Sequence, residues 1–566
     1  MAAKRQKHKP TEYDTALYGY HKAAAKHVAV MELQLPEDEK RRIFADADRL
    51  RQCGNKLLGV MKRNLEQLLR TKRYRNLQKL YGSLSEKIKA LETLDKLSEK
   101  QQAELGQYGK DRDEVSVSMT EMQDTYHVTW DFCRKYMEGI REQYGIDSIF
   151  ALSRAEDVWS AVSRVLYATG KHLHFKKRGE LPEIRAKQRN RGIIIAVGKN
   201  GLEFRYKKKT YRPIIRKGDR WLEDEIHAMM VYLQDPLTAD ASAVHEYLKQ
   251  HVVDTYRPCF ASLVCTIIRG KLRVFAHVTV EGHPLPKRRA DGTMKHTYGT
   301  GYVGCDIGTQ TLAYTSKTEV GLKNLAERGA SIPKRERQER ILYRAMDRSR
   351  RAMNPENYNT DGTIRKGKKA WKKSNRYKKL QRRHQELARI AAVNRKLAIN
   401  EDANHLRSLG DTFITEEKNS AKLARKAKET TTDKKGRANR KKRFGKSVQN
   451  RCPGYFQKQV GQKFTSTGGA YIEVPKDYRA SQYDHTADDY IKKKLSDRMY
   501  ALSDGTIVQR DWYSSYLLYC FDFKTQHINK TNCKRNFETM HKKEEAMIQT
   551  IIASGKKVLN SGIKAA

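Results

Sequence analysis

The sequence contains 566 residues, with 114 Lys and Arg against 66 Asp and Glu, so its formal net charge at pH 7 is +48. A positive field of this size is normally balanced by a polyanion, which makes nucleic acid the leading class of partner. Because 38% of the residues are hydrophobic and 9% are aromatic, the chain can build folded cores, and a wholly disordered basic tail is excluded. The length allows about three to five domains.

The hydropathy and cysteine patterns exclude two further classes. No window approaches the roughly 18 uninterrupted apolar residues that a membrane span requires, and no apolar stretch follows the basic start of the chain. We therefore expect a soluble, cytoplasmic protein with no membrane partner. The eight cysteines form no Cys-x-x-Cys pair, so we expect reduced thiols rather than disulfides or a thiolate zinc site.

The first 300 residues combine predicted strands with a long helical segment. Residues 28–35 indicate a strand, and the helices that follow begin with the acidic run Glu37–Glu39, which suits the positive end of a helix dipole. Further β-like runs, separated by turns, lie at residues 192–197, 202–206, 261–268 and 272–280. This order predicts a basic β-barrel that is split by a helical insertion. Two unrelated β segments are the alternative.

Two basic segments have two interpretations each. Tyr206–Arg212 interleaves tyrosines with cations, which suits stacking on unpaired nucleotides or an ordinary strand with a basic face. Residues 418–446 contain 13 Lys or Arg and two acids, and they lie between a strand near Phe413 and a glycine-led strand at 468–474. Such a run is either a solvated segment or a loop that lies on phosphates.

Three carboxylates stand at the ends of predicted elements in the α/β part that begins near Tyr302. Asp306 follows an apolar strand, Glu416 or Glu417 ends the next strand, and Asp511 precedes an apolar helix. Glu416 and Glu417 point to opposite faces of their strand. Three carboxylates suffice for Mg²⁺, and two such ions about 3.5–4 Å apart suit phosphodiester hydrolysis. For each acid taken alone, a helix cap or a surface ion pair is the alternative.

These acids belong to a set of motifs in a fixed order. The motifs are Val303–Ser316, Met346–Gly362, Thr415–Ser420, Phe444–Val448 and Gln509–Ser514. The set resembles the TnpB family of RNA-guided nucleases, which is related to the compact type V CRISPR effectors, and it covers about residues 300–525. The resemblance implies a multidomain α+β protein with a RuvC-like nuclease domain of RNase H fold, a β-barrel wedge domain and a helical recognition lobe.

The resemblance also assigns roles to single residues. Asp306 and Asp511 match the first and last catalytic acids and metal ligands, and the Thr-Glu-Lys-x-Ser pattern favours Glu417 over Glu416 as the middle one. Arg498 matches an arginine that faces the active site in relatives. The cofactor implied is Mg²⁺ or Mn²⁺.

The resemblance further predicts the domain boundaries. They are 1–35 and 171–300 for the wedge domain, 36–170 for the helical lobe, 301–479 and 507–566 for the RuvC-like domain with its C-terminal tail, and 480–506 for a zinc-ribbon-like insertion. The family's ribbon has four cysteines and this segment has none. His485 with Asp484, Asp488 and Asp489 is a poor substitute, because structural zinc sites are rich in thiolates. We therefore expect no structural zinc.

We expect an RNA-guided DNA endonuclease whose partners are a guide RNA and a target double-stranded DNA with a short flanking motif. The residues expected to contact nucleic acid are Arg348, Arg350, Arg351, Lys441, Lys442, Arg443 and Lys446. A guided DNA-binding protein or repressor that does not cleave is one alternative. An unguided RNA-binding protein or a transposase is another. The RNA that copurifies with the protein distinguishes the guided from the unguided classes.

Overall fold

The computed structural model describes residues 24–92, 97–234, 255–328, 332–426, 429–432, 436–438, 444–475, 477–494 and 496–564. The chain divides into two compact units, Met1–Ala290 and Asp291–Ala566. Three residues predicted to bind nucleic acid, Lys441, Lys442 and Arg443, lie outside the described residues. Within the described ranges, no helix combines the length and the apolar character needed to cross a membrane.

The first unit begins with a strand and a series of helices. They are β1 (Lys26–Gln34), α1 (Glu37–Arg70), α2 (Lys72–Glu92), α3 (Glu99–Thr125), α4 (Trp130–Arg141) and α5 (Ser148–Leu166). In α1 the apolar residues Ile43, Leu50 and Leu57 recur at helical spacing and are buried. A capping box between Ser98 and Gln101 starts α3. The predicted helical segment is confirmed for these residues.

The strands of the first unit form one curled sheet. They are β2 (Ile184–Arg185), β3 (Ile193–Gly198), β4 (Gly201–Tyr206), β5 (Lys209–Pro213), β6 (Arg257–Ile268) and β7 (Lys271–Glu281), with helix α6 (Arg220–Gln234) before β6. The sheet order is β2-β6-β7-β1-β5-β4-β3, so β1 joins strands that follow the helices. β3 also packs against β6, which curls the sheet towards a barrel. The alternative of two unrelated β segments is therefore excluded.

The second unit contains a mixed sheet. Its strands are β8 (Tyr302–Ile307), β9 (Thr311–Ser316), β10 (Val320–Asn324), β11 (Thr412–Glu416) and β12 (Ala470–Val474). The order is β10-β9-β8-β11-β12. β9 pairs with β8 and with β10 in antiparallel fashion. β11 pairs with β8 and with β12 in parallel fashion. The carboxyl ends of the neighbouring strands β8 and β11 therefore lie side by side.

Helices and small ribbons surround this sheet. They are α7 (Ile332–Met353), α8 (Asn375–Leu409), α9 (Ser420–Leu423), α10 (Gly445–Arg451), α11 (Pro453–Ser466), the ribbons β13 (Tyr483–Asp484) with β14 (Asp489–Tyr490) and β15 (Met499–Ala501) with β16 (Ile507–Gln509), then α12 (Arg510–Tyr519) and α13 (Lys530–Ala553). One face of the sheet forms a core with α8 and α11. The other face packs against α12.

Candidate active site

Asp306 lies near the end of β8, on the face that packs against α12. The odd-numbered residues of β8 point into the core with α8 and α11, so strand alternation places Asp306 on the other face, together with Gly304. α12 lies directly on this strand: a Cβ at Gly304 would be 2.2 Å from the carbonyl oxygen of Ser515 and 2.2 Å from the amide nitrogen of Tyr519. Glycine is therefore required for the close approach that brings the start of α12 to Asp306.

Asp511 lies in the first turn of α12. The side chain of Gln509 caps this helix by accepting a hydrogen bond of 2.7 Å from a backbone N–H of its first turn. Asp511 is 9% exposed, and the hydroxyl of Thr311 lies 3.5 Å from its Oδ2. Burial raises the pKa of Asp511 to about 6, and the negative charge of Asp306 contributes to the rise. The two carboxylates therefore lie close enough to interact.

The structure brings Glu416, and not the predicted Glu417, to this site. Ile414 packs against α12, and Glu416, two positions further on, follows on the same face of β11. Burial raises the pKa of Glu416, and the charge of Asp306 raises it further. Glu417 follows the last residue of β11 and, like Lys418, lines a surface cavity with residues of α11. Glu416 rather than Glu417 therefore faces Asp306, and which of the two is the middle catalytic acid stays a prediction.

Lys418 is a site residue that the sequence analysis missed. Its Nζ lies 3.6 Å from Oδ1 of Asp306 and donates a hydrogen bond to the carbonyl oxygen of Ile307. The positive charge of Lys418 counteracts the rise in the pKa of both Glu416 and Asp511. Strand alternation could have indicated Lys418, because a residue two positions after Glu416 lies on the same face of an extended chain.

Arg498 also reaches the site. Its Nη1 lies 3.4 Å from Oδ1 of Asp511, and its side chain is 31% exposed, so the guanidinium contacts both the acid and solvent. The carbonyl oxygen of Arg498 accepts a hydrogen bond of 2.9 Å from the N–H of Arg510, which ties the segment before β15 to the start of α12. A catalytic role for Arg498 stays a prediction.

The donors of this site fit Mg²⁺ by their chemistry. Asp306, Glu416 and Asp511 supply the hard carboxylate oxygens that Mg²⁺ takes. Burial raises the pKa of the other two acids, repulsion from Asp306 raises it further, and a bound cation would relieve this repulsion. In the described part of the chain, no three His, Cys, Asp or Glu side chains are grouped closely enough to hold a metal ion. The carboxylates thus share a face without forming a closed ligand set.

Three of the described residues expected to contact nucleic acid have partners inside the second unit. Arg350 and Arg351 form ion pairs of 2.6 and 2.7 Å with Asp347 on the same helix, α7. Lys446 lies 2.8 Å from a glutamate of α7. Arg348 is exposed. Nucleic-acid binding by these residues stays a prediction.

In the segment predicted to correspond to a zinc ribbon (480–506), hydrogen bonds and aromatic contacts connect the described residues. The carboxylate of Asp484 accepts hydrogen bonds of 2.7 to 3.0 Å from the backbone N–H and the hydroxyl of both Thr486 and Ser503. Burial acts to raise the pKa of Asp484, but these bonds outweigh it and hold the pKa below its ordinary value. Nζ of Lys493 lies 3.7 Å from the ring centre of Tyr500, a cation–π contact. Hydrogen bonds and aromatic packing therefore stabilise this segment.

The basic segment Tyr206–Arg212 is an ordinary hairpin rather than a stacking surface. Tyr206 and Tyr211 are buried in the first unit. Their hydroxyls donate hydrogen bonds of 2.8 and 2.7 Å to Asp46 and Glu39 on α1. Neither ring is therefore available to a base.

The comparisons with known proteins are sparse. No protein-family model and no curated protein matches the chain. Among solved structures, the chain resembles a cryo-EM structure of a Cas12i–crRNA–dsDNA complex, with 9% sequence identity and a TM-score of 0.22. The match covers 79% of this chain and 56% of that chain, so the protein spans little more than half the length of this neighbour. A likeness this distant carries no argument about function.

Proposed function

We propose that this protein is an RNA-guided DNA endonuclease whose RuvC-like active site contains Asp306, Glu416 and Asp511. The observation that carries the proposal is the convergence of three acids from distant parts of the sequence on one face of the second sheet. Burial raises the pKa of both Glu416 and Asp511, and the charge of Asp306 adds to each rise, although the two acids stand on different elements. Buried acids with raised pKa values and a charged neighbour are typical of functional sites.

The fold and the charge of the chain support this class. A mixed five-stranded sheet with helices on both faces is compatible with the RNase H fold that the TnpB resemblance implies. A net charge of +48 suits a protein that holds a guide RNA and two DNA strands. In such complexes base pairing reads the target, and the protein contacts mainly the backbone.

The residues of the site have separable roles in this proposal. The three carboxylates would hold Mg²⁺, which when bound activates water and stabilises the leaving oxygen of a phosphodiester. Arg498, which is partly exposed beside Asp511, would bind and orient the phosphate that enters. Lys418 would hold the Asp306 carboxylate in place through their 3.6 Å contact.

The test compares Glu416→Gln with Glu417→Gln in the guide-loaded protein, using a matched DNA target and Mg²⁺. We expect Glu416→Gln to lower the cleavage rate at least a hundredfold, beyond the range of about 10–100-fold seen on loss of an outer-shell partner. Glu417→Gln is the matched control and should cleave normally, because Glu417 lines a surface cavity with residues of α11 and Glu416 is the acid coupled to Asp306. Target binding by both variants should be unchanged. Normal cleavage by Glu416→Gln would refute the assignment.

Sequencing the RNA that copurifies with the wild-type protein tests the guided part of the proposal. A discrete RNA that directs cleavage of a complementary target is the expected result. A discrete RNA with target binding but no cleavage in Mg²⁺ or Mn²⁺ would favour the binding-only alternative. RNA of random sequence would favour the unguided class.

A further inference from the structure

A run of cations leads from the loop after α7 into the first turns of α8. Residues 365–383 contain eleven Lys or Arg and no Asp or Glu. We call nine exposed members of this run the basic face: Lys366, Lys368, Lys372, Lys373, Arg376, Lys378, Lys379, Arg382 and Arg383. Further along α8, Arg389 pairs with Glu386 at 2.7 Å. No member of the basic face forms an ion pair with a described residue.

The loop that carries part of the basic face is fixed by internal hydrogen bonds. Asn354 is fully buried, and its Nδ2 donates bonds of 2.8 and 2.9 Å to the carbonyl oxygens of Arg350 and Lys372. Its Oδ1 accepts a bond of 2.6 Å from the N–H of Lys372. Asn357 donates a bond of 2.7 Å to the carbonyl oxygen of Ala370. The start and the end of the loop are thus tied together.

Two arginines predicted to bind nucleic acid contribute to this scaffold. The guanidinium of Arg350 lies 5.2 Å from the ring centre of Trp371. The guanidinium of Arg351 lies 4.7 Å from the ring centre of Tyr358 and donates a 2.8 Å hydrogen bond to the carbonyl oxygen of Gly362. These interactions give both arginines a structural role and leave the outward charge to the lysines of the loop.

The first turns of α8 present the other cations on one side of the helix. At about 100° per residue, the five cations from Arg376 to Arg383 fall within an arc of about 160°. Tyr377, Leu380 and His384 lie on the opposite arc and are partly buried. The ring of His384 lies 4.6 Å from that of Tyr343 on α7. The cations therefore point away from α7.

This arrangement works against the stability of the free helix. Arg376 and Lys379, Lys379 and Arg383, and Lys378 and Arg382 are three or four residues apart, where like charges repel. A solubilising surface usually intersperses both signs of charge. A rigid array of one sign, without internal counter-charges, instead fits a polyanion that neutralises it.

We propose that the basic face binds the phosphate backbone of a nucleic-acid duplex. If the proposed function holds, this duplex is the hybrid of guide RNA and target DNA. Single-strand sites combine cations with open aromatic platforms. The side chain of Trp371 is 37% exposed, but its ring is already contacted by Arg350, so it is not an open platform for a base. Contacts of these cations with phosphates would position the duplex without selecting its sequence.

The experiment uses the full-length protein and a 20-base-pair RNA–DNA heteroduplex of arbitrary sequence. The variant replaces Arg376, Lys379 and Arg383 with Gln, and a second variant replaces Lys378 and Arg382 with Gln. Binding is measured by fluorescence anisotropy at several salt concentrations. We expect the slope of log K against log salt to become shallower by about 2–3 in the triple variant, at about 0.7–0.9 for each phosphate that the protein no longer neutralises. The Tm should stay the same or rise, because helix repulsion is relieved.

The matched control removes the same charge from α13 by replacing Lys534, Arg535 and Lys542 with Gln. It should bind the heteroduplex within about twofold of wild type at the same salt concentration, because these exposed residues lie on another helix. An unchanged slope in both basic-face variants would overturn the inference, as would an equal loss of affinity in the α13 control. A larger loss of affinity for single-stranded RNA than for the heteroduplex would overturn the choice of a duplex.

The two proposals can fail separately. Cleavage of a matched target by the wild-type protein is measured in the same preparations. If the wild type binds the heteroduplex and the triple variant does not, the basic face stands even when no cleavage occurs, and only the nuclease proposal falls. If the wild type cleaves and the variants bind and cleave normally, the nuclease proposal stands and the basic face falls.

Discussion

Replacing Asp511 with Asn should stabilise the metal-free protein at neutral pH. The side chain of Asp511 is buried, and burial together with the charge of Asp306 raises its pKa to about 6 from an ordinary value of 3.8. The folded state therefore favours the protonated carboxyl over the carboxylate. Ionisation at pH 7 destabilises the native protein, and the amide of Asn, which has the same shape, is not ionised.

The size and the sign of the effect follow from this pKa. The difference between about 6 and 3.8 corresponds to about 3 kcal/mol of unfolding free energy. Because the native state binds more protons than the unfolded state between these values, the contribution is fully present below about pH 4 and is lost as the pH rises through 6. The gain from Asp511→Asn should therefore be near zero at pH 4 and reach up to about 3 kcal/mol at pH 7.

The assay measures thermal denaturation and hydrogen exchange of α12 in a chelating buffer, at several pH values between 4 and 7.5. Added Mg²⁺ should stabilise the wild type and have a smaller effect on the variant, because a cation stabilises the state that binds it. A loss of stability in Asp511→Asn at pH 7 would refute the reasoning. A gain of the same size at pH 4 and pH 7 would refute it as well, since the effect would then not come from ionisation.

Two other predictions concern the scaffold of the site. Gly304→Ala should lower the unfolding free energy by at least about 2 kcal/mol, because the new Cβ would clash with the backbone of α12. The control is Gly82→Ala, in the middle of α2, where a Cβ would meet open space. In the same thermal melts this control should be neutral or stabilising. The purified protein should contain less than one zinc per chain, and a zinc chelator should leave its Tm unchanged, because hydrogen bonds to Asp484 hold residues 480–506 together. Stoichiometric zinc in elemental analysis would contradict this prediction.

The elements that the sequence predicted well are those with a strong local pattern. The β-like runs and the helical segment of the first unit are present near the predicted positions, because alternation and helical periodicity record which side chains are buried. Asp306 and Asp511 could be singled out for a similar reason. Asp306 follows an apolar strand and Asp511 precedes an apolar helix, and a charged group beside an apolar run needs a specific environment.

The features that could not be predicted depend on which face of an element is used or on distant partners. Glu416 and Glu417 are identical in type and adjacent, so only the packing of Ile414 on α12 shows which one faces Asp306. Arg350 and Arg351 belong to a basic motif that suggests phosphate binding. Their role in the loop scaffold depends on aromatic rings and a carbonyl group of the following loop, and only the folded loop shows that these groups meet the two guanidinium groups.

The protein has a cluster of positive charges on the basic face and a cluster of acids at the candidate active site. In our proposal the first cluster serves binding and the second serves cleavage. The chain as a whole carries +48 charges, and the basic face concentrates part of them without counter-ions from the described residues. At the site, the carboxylates of Asp306, Glu416 and Asp511 lie on one face, and the positive charges of Lys418, Arg498 and Arg510 act on them. A phosphodiester attracted by the field of the protein would be repelled by these acids unless a divalent cation neutralised them. Loss of basic residues should therefore weaken binding and its salt dependence, whereas loss of an acid should abolish cleavage and leave binding intact.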